Sequence, residues 1–259
     1  LEKMGYNYNA NAKTVLIPAW RVDVLHEVDL IEDIAIAYGY ENFKSDTSGI
    51  IGIPDSAQKS KISDIPQVSG TGKESSSEIK KRKIAEILTG LGILETSSLH
   101  LLTKEDLEKS GIKNTIELEN SKTDYKFLRK DILTSSLKIL SSNSDAEYPQ
   151  KIFEIGTSFS ADEKEETGIK ESSKLAVSLA PGNFTEIRQV LEYLGRMLGA
   201  SFSIEEAHDS RFIEGRVGKI ILDNKDIGVL GELAPQTLNN WKIKMPAASL
   251  ELDVDEIRN

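Results

Sequence analysis

Between Ser45 and Ser77 the chain loses the apolar periodicity that a packed element needs. The stretch is rich in Ser, Gly, Lys and Pro, and its apolar residues include a short island at Ile50, Ile51 and Ile53. It reads as a linker over 44–77, dividing the sequence into a short leading piece, 1–43, and a long trailing piece, 78–259. Each piece must then find its own core. The run SGTGKESSSE inside the linker contains GTGK, but it lacks the GxxxxGK[ST] spacing and no strand leads into it, so it is not read as a phosphate loop.

With 259 residues, 39% hydrophobic and 29% charged, the chain has a globular composition and enough length for one large or two modest domains. It contains no Cys, which excludes disulfides, thiolate metal sites and cysteine nucleophiles and permits a reducing compartment. No apolar run approaches the roughly 20 residues of a membrane span, and nothing at the start resembles a signal peptide. The expectation is a cytoplasmic protein with no membrane partner. A net charge of -10 argues against a broad DNA-binding surface, although Lys80, Lys81, Arg82 and Lys83 form a local basic patch able to touch phosphate. The first residues, LEKMGY, read as the last turns of a helix already under way, so an excised fragment is expected.

In the leading piece, Val15 to Val24 is apolar and β-branched enough for a strand, and from about Val28 the period becomes helical until Gly39. On that helix Asp29, Glu32 and Asp33 share one face, while Ile31, Ile34, Ala35 and Tyr38 line the opposite face and are expected to dock on a core. Asp23 adds a fourth carboxylate near the helix start. Clustered oxygen ligands without His or Cys suit a hard cation such as Mg²⁺ rather than zinc. The plainer reading is that acids in a first helical turn complement the helix dipole and face solvent. Ile36, on the wheel between the acids, sits poorly with a purely solvated face.

The trailing piece alternates helical and strand periods. Ile84, Ile87, Leu88 and Leu91 mark a helix over about 77–91, followed by a strand at about Leu94 to Leu102. Thr103 with Asp106 is a capping box for a short helix to Lys109, and TIELEN reads as a strand. Leu133, Leu137 and Leu140 mark a helix over about 131–142, KIFEIGTSFS a strand at 151–160, ADEKEETGIKE an acidic loop and KLAVSLA a strand. Asn183 caps a long amphipathic helix to Gly199, with Ile187, Val190, Leu191, Leu194 and Leu198 on its core face. A hairpin at 216–233 turns at 223–226, Pro235 opens a short helix to Trp241, and Ala248 to Val254 is a last strand. Adjacent strands with helices grouped between them indicate an α+β architecture, an antiparallel sheet flanked by helices.

The run IPAWRVDVLHEVDLIEDIAIAYGYENF, 17–43, resembles the end of the small winged-helix-like domain of the phenylalanyl-tRNA synthetase beta subunit, most closely of the archaeal and eukaryotic type. KIAEILTGLGILETSSLHL resembles the first class II segment of that family, and FLRKDILTSSLKILSSN with KIFEIGTSF resembles the second. FIEGRVGKIILDNKDIGVLGELAPQTLNNW followed by ASLELDVDEI is similar to its closing stretch. The resemblance implies a class II synthetase-like domain over 78–259, preceded by the end of a magnesium-associated domain over 1–43. It places the Mg²⁺ ligands on Asp23, Asp29, Glu32 and Asp33. It also implies a heterotetramer of two alpha and two beta chains that attaches phenylalanine to its tRNA using ATP. In that assembly the alpha subunit carries the chemistry, and this chain packs on it as a scaffold, mainly through about Ile84 to Leu102.

No catalytic residue is assigned. His26, His100 and His208 have no spacing that builds a triad or a metal site. By the resemblance, Arg129 lies where an active class II enzyme holds an α-phosphate, yet Lys130 and Asp131 follow it instead of one intervening residue and Glu. The C-terminal LELDVDEIRN lacks the glycine-rich strand that feeds an ATP-binding arginine, and Arg258 is a poor substitute. Without cations fixed on the triphosphate, little stabilises the charge that develops during adenylation. Two rival readings are a self-sufficient adenylating domain, disfavoured by these departures, and a winged-helix nucleic-acid binder, disfavoured because the acidic helix would repel phosphate.

Overall fold

The structure is a computed structural model that describes residues 2–43 and 74–257. Most of the linker, its GTGK run and Arg258 lie outside the described residues. The chain divides into two compact units, Leu1–Lys73 and Glu74–Asn259.

In the first unit β1 (Asn7–Asn9) and β2 (Thr14–Leu16) form an antiparallel pair. The Asn9 side chain closes their turn by accepting from the N–H groups of Asn11 and Ala12 at 3.1 Å. The strand expected to run on to Val24 stops at Leu16, because Pro18 supplies no N–H and the Pro18 carbonyl accepts instead from Arg21 N at 3.0 Å, closing a turn. Helix α1 (Glu27–Tyr38) begins where Asp29 accepts from the N–H groups of Leu25 and His26, both at 2.8 Å, and ends at Gly39, whose φ of 93° few side chains tolerate. Its apolar face does not dock as expected: Ile31, Ile34 and Tyr38 are 60%, 45% and 60% exposed. Among the described residues this unit buries only Tyr6 and Val24, so α1 has no core beneath it.

The second unit opens with α2 (Ser76–Gly90), capped by the Ser75 hydroxyl on Glu78 N–H at 3.2 Å. Then follow β3 (Leu94–Glu95), β4 (Leu101–Leu102), α3 (Lys104–Ser110), β5 (Phe127–Leu128), α4 (Leu133–Ser142), β6 (Gln150–Ala161) and β7 (Ile169–Ala180). The chain continues through α5 (Phe184–Leu198), β8 (Ser203–Glu206), β9 (Phe212–Leu222), β10 (Lys225–Leu233), α6 (Pro235–Trp241) and β11 (Ala248–Asp253). Among the described residues seven strands form one sheet in the order β3-β6-β7-β11-β10-β9-β8. The sheet is mixed rather than wholly antiparallel: β3 pairs with β6 in parallel, as the long crossover through α3 and α4 allows, and the other pairs are antiparallel.

Strand alternation sends the two faces of this sheet to different helices. Phe153, Leu175, Val177, Leu250 and Leu252 pack with Ile84 and Leu88 of α2 and with Ile187, Leu191 and Leu194 of α5. Each such fully buried side chain contributes about 1.5–3 kcal/mol. Ile152, Ala180, Phe212 and Val217 pack with Leu133, Leu137 and Leu140 of α4 and with Trp241 of α6. The face opposite Leu250 and Leu252 carries polar groups: the Ser178 and Ser249 hydroxyls are hydrogen-bonded at 2.8 Å, and Glu251 is 7% exposed.

Several local expectations differ from the structure. The strand expected over Leu94 to Leu102 is broken into β3 and β4, which join different sheets, and TIELEN contributes a single bridge, Glu117 to Phe127. The acidic loop is shorter, since β7 begins at Ile169 and pairs back to Ala161. The 216–233 hairpin turns on Asp223 and Asn224, with φ of 50° and 64°, the left-handed pair that a two-residue hairpin needs.

Candidate functional site

In the first unit the four sequence-selected carboxylates do not meet around one point. Asp23 is held by Arg21, with Nε at 2.9 Å and Nη2 at 2.7 Å from its oxygens, and the same Nη2 lies 2.8 Å from Asp33. Asp33 also accepts from the Tyr6 hydroxyl. Asp29 is turned away, its carboxylate closing the start of α1 on two backbone N–H groups. Glu32 makes no ion pair and no side-chain hydrogen bond among the described residues.

The electrostatics follow these contacts. The Arg21 hydrogen bonds hold the Asp23 carboxyl below its usual pKa, the Tyr6 hydroxyl and then Arg21 do so for Asp33, and the N–H groups of His26 and Leu25 do so for Asp29. All three are firmly anionic, but Asp23 and Asp33 share a guanidinium rather than a metal. The residue types suit Mg²⁺ and the placement does not: among the described residues no group of three or more His, Asp and Glu side chains is placed to hold a metal ion. The acids do share α1, and Arg21, which the spacing argument did not weigh, lies between Asp23 and Asp33.

Arg129 in the second unit is 1% exposed. Its Nε donates to the Thr157 carbonyl at 2.7 Å, and its Nη1 donates to Ser98 Oγ at 2.8 Å and to Glu154 at 2.6 Å. Ser98 in turn donates to Glu154 at 2.7 Å. A Cβ at Gly156 would lie 2.2 Å from Arg129 Nη2, so glycine there is what lets the guanidinium lie flat against β6. With Nε and Nη1 engaged in this way, the buried guanidinium can turn to a phosphate in solvent only by breaking a buried ion pair.

A second ionic network lies under α4. Glu251 accepts from the N–H groups of Ile132 and Leu133 at 2.7 and 2.9 Å, capping α4, and pairs with Lys174 at 3.1 Å. Arg211 sits between Asp131, at 2.5 Å, and Asp209, at 2.8 Å. Burial pushes the Glu251 carboxyl up, reinforced by the neighbouring charge of Asp131. Burial also pulls Asp209 upward, but the Arg211 hydrogen bonds outweigh it and leave the group below the usual carboxylate range. Sequence reasoning missed this network. Its visible trace was the alternation in LELDVD, which turns Glu251 to the face opposite Leu250 and Leu252 of a buried strand.

The family model for the phenylalanyl tRNA synthetase beta chain CLM domain matches residues 63–254, and that for the tRNA synthetase B5 domain matches residues 1–40. The beta subunit of phenylalanine–tRNA ligase from Pyrococcus furiosus is 35% identical over 97% of this chain and 44% of its own length. The corresponding protein of Methanococcus aeolicus is 31% identical over 96% of this chain and 44% of its own. The chain therefore spans less than half the length of these curated relatives. Among solved structures, a pyrrolysyl tRNA synthetase from Desulfitobacterium hafniense superposes with a TM-score of 0.61 at 15% identity, covering 74% of this chain and 70% of that one. A second structure of that enzyme gives a TM-score of 0.59 at 16% identity. At this identity the likeness is one of fold alone.

Proposed function

The chain belongs to the phenylalanyl-tRNA synthetase beta-chain family, and on that premise we propose that it is the part of a phenylalanine–tRNA ligase beta subunit that scaffolds the catalytic alpha subunit. In this reading 1–43 is the closing part of the magnesium-associated, winged-helix-like domain and 78–259 is a class II-like domain that performs no chemistry of its own. Alpha activates phenylalanine with ATP and charges the tRNA within an assembly of two alpha and two beta chains.

The observation that carries the non-catalytic reading is the state of Arg129. The arginine that a class II enzyme would offer to an α-phosphate is here buried on Glu154, Ser98 and Thr157. A partner surface is supported by Leu94 and Leu99, 67% and 64% exposed within the 84–102 segment through which class II domains associate. Mg²⁺ remains a proposal for Asp23, Asp29, Glu32 and Asp33, supported by donor chemistry and resemblance. It requires Arg21 to release Asp23 and Asp33.

Pyrophosphate exchange with ATP and phenylalanine, run on the chain alone and with the alpha subunit, tests this reading. Exchange only with alpha, and co-sedimentation with alpha, is the expected result. Exchange by the chain alone that disappears in Arg129→Ala overturns the non-catalytic part, and a chain that ignores alpha overturns the scaffold part.

A further inference from the structure

A cavity of about 340 Å³ opens between the end of α3, the segment before α4, the loop before β9 and the strands β7 and β11. Its charged lining divides into two sets. Every carboxylate in the wall is already matched: Asp131 and Asp209 hold Arg211, and Glu251 holds Lys174. By contrast, among the described residues the Lys113 and Lys130 side chains stand exposed at the cavity with no ion pair and no hydrogen bond. The Ser110 hydroxyl, on a residue only 5% exposed, has no hydrogen-bond partner. Arg211 commits Nε and one N–H of each terminal nitrogen to the two aspartates, which leaves a second N–H on each nitrogen.

The cavity thus holds donors without acceptors. Buried polar groups in folded proteins are paired with few exceptions, so an orphan hydroxyl beside two unpaired ammonium groups indicates a missing acceptor. A metal cation would meet an excess of positive charge and no free carboxylate. A single water would satisfy Ser110 and leave both lysines unmatched. A carboxylate presents two oxygens on one edge, whereas these donors come from α3, from the loop after it and from the segment before α4. An anion with oxygens in several directions matches them better, and hydrogen bonds to such a charged acceptor are the strong kind.

We propose that this cavity binds a small phosphate-bearing anion, with Lys113 and Lys130 supplying charge and Ser110 and Arg211 supplying directed hydrogen bonds. The site does not rest on the beta-subunit reading: it would hold for a scaffold or for an enzyme.

Titration of the full chain with inorganic phosphate and with pyrophosphate, followed by calorimetry and ³¹P line broadening, tests it. Saturable single-site binding is expected, with amide shifts at residues 110, 113 and 130. Pairing Lys113→Ala with Lys130→Ala should weaken it by about tenfold or more, and Ser110→Ala by about threefold, while Lys164→Ala, outside the cavity, leaves it unchanged. The amide map of the unsubstituted protein keeps the test independent of how the variants fold. Absence of binding at millimolar pyrophosphate, shifts mapping elsewhere, full binding by the double variant, or acetate binding as tightly as pyrophosphate would each overturn the proposal. So would binding of an RNA oligonucleotide without binding of free pyrophosphate.

Discussion

Arg129 and Glu154 meet at 2.6 Å with side chains 1% and 3% exposed, and Ser98 bridges the same two groups. Removing either partner leaves the other charge buried and unmatched, which costs about 3–5 kcal/mol, whereas an apolar pair of similar volume is often tolerated. Glu154→Ala should therefore lower the urea midpoint steeply, and Arg129→Met with Glu154→Leu should recover most of the loss. A double variant that loses the sum of the two single losses would show that the two groups are not energetically coupled. Gly156→Ala, which drives a methyl into the same guanidinium, should cost about 1–3 kcal/mol.

Asp29 closes the first turn of α1 by accepting from the N–H groups of Leu25 and His26. Asp29→Ala should cost about 0.5–2 kcal/mol of stability to the first unit, visible as lost helicity, and equally with and without EDTA. A loss seen only with Mg²⁺ present would assign the residue to metal binding instead. Because Arg21 occupies Asp23 and Asp33, Arg21→Gln should tighten binding of Mn²⁺ as a paramagnetic probe. Unchanged binding would exclude competition between the guanidinium and a cation.

The pH dependence of stability should show two opposed regions. Burial raises the carboxyls of Asp106, Asp209 and Glu232, but Lys138 outweighs this at Asp106, Arg211 at Asp209, and the Phe184 N–H with Arg216 at Glu232, so all three lie below their ordinary values. Their contribution is complete above an unfolded pKa of roughly 4 and is lost as pH falls through the lower folded values. Glu251 and Asp253 are raised, chiefly by burial, so their ionisation penalises the folded state at higher pH and is relieved as pH falls toward the unfolded value. Thermal unfolding across pH should show a maximum in the mildly acidic range and a steep fall below about pH 4. Stability that rises steadily to alkaline pH would contradict this balance.

Leu191 and Met197 lie on the same helix, α5, at 1% and 56% exposure. Leu191→Ala should cost about 2–5 kcal/mol, and Met197→Ala within about 0.5 kcal/mol of nothing. Similar losses in chemical denaturation would mean that the core face of α5 has been misplaced.

Much of this fold was legible because its signals are local. Asn183 capping α5, the apolar spacing from Ile187 to Leu194, the Thr103 and Asp106 capping box and the Pro235 start of α6 all recur in the structure where the sequence put them. Each depends on residues within a few positions of one another, where backbone geometry alone decides which side chains can meet. Short strands such as β4, β5 and β8 were missed or misjudged because two to four residues carry no period.

The sequence by itself therefore determined the kinds of residue at the candidate site and the family to which the chain belongs. Only the tertiary structure decided what those residues are committed to. Asp29, Glu32 and Asp33 do lie on one helix, yet Arg21 and Tyr6, from other segments, claim Asp33, and the backbone claims Asp29. Arg129 could be read as a phosphate ligand until β6 laid Glu154 against it, and Glu251 looked like one more acid until β11 carried it to the N-terminus of α4. Except at Asp29, whose partners lie three and four residues away, the deciding contact joins segments the linear order keeps apart. A carboxylate or guanidinium takes the nearest opposite charge that folding supplies, and spacing along the chain does not record which one that is.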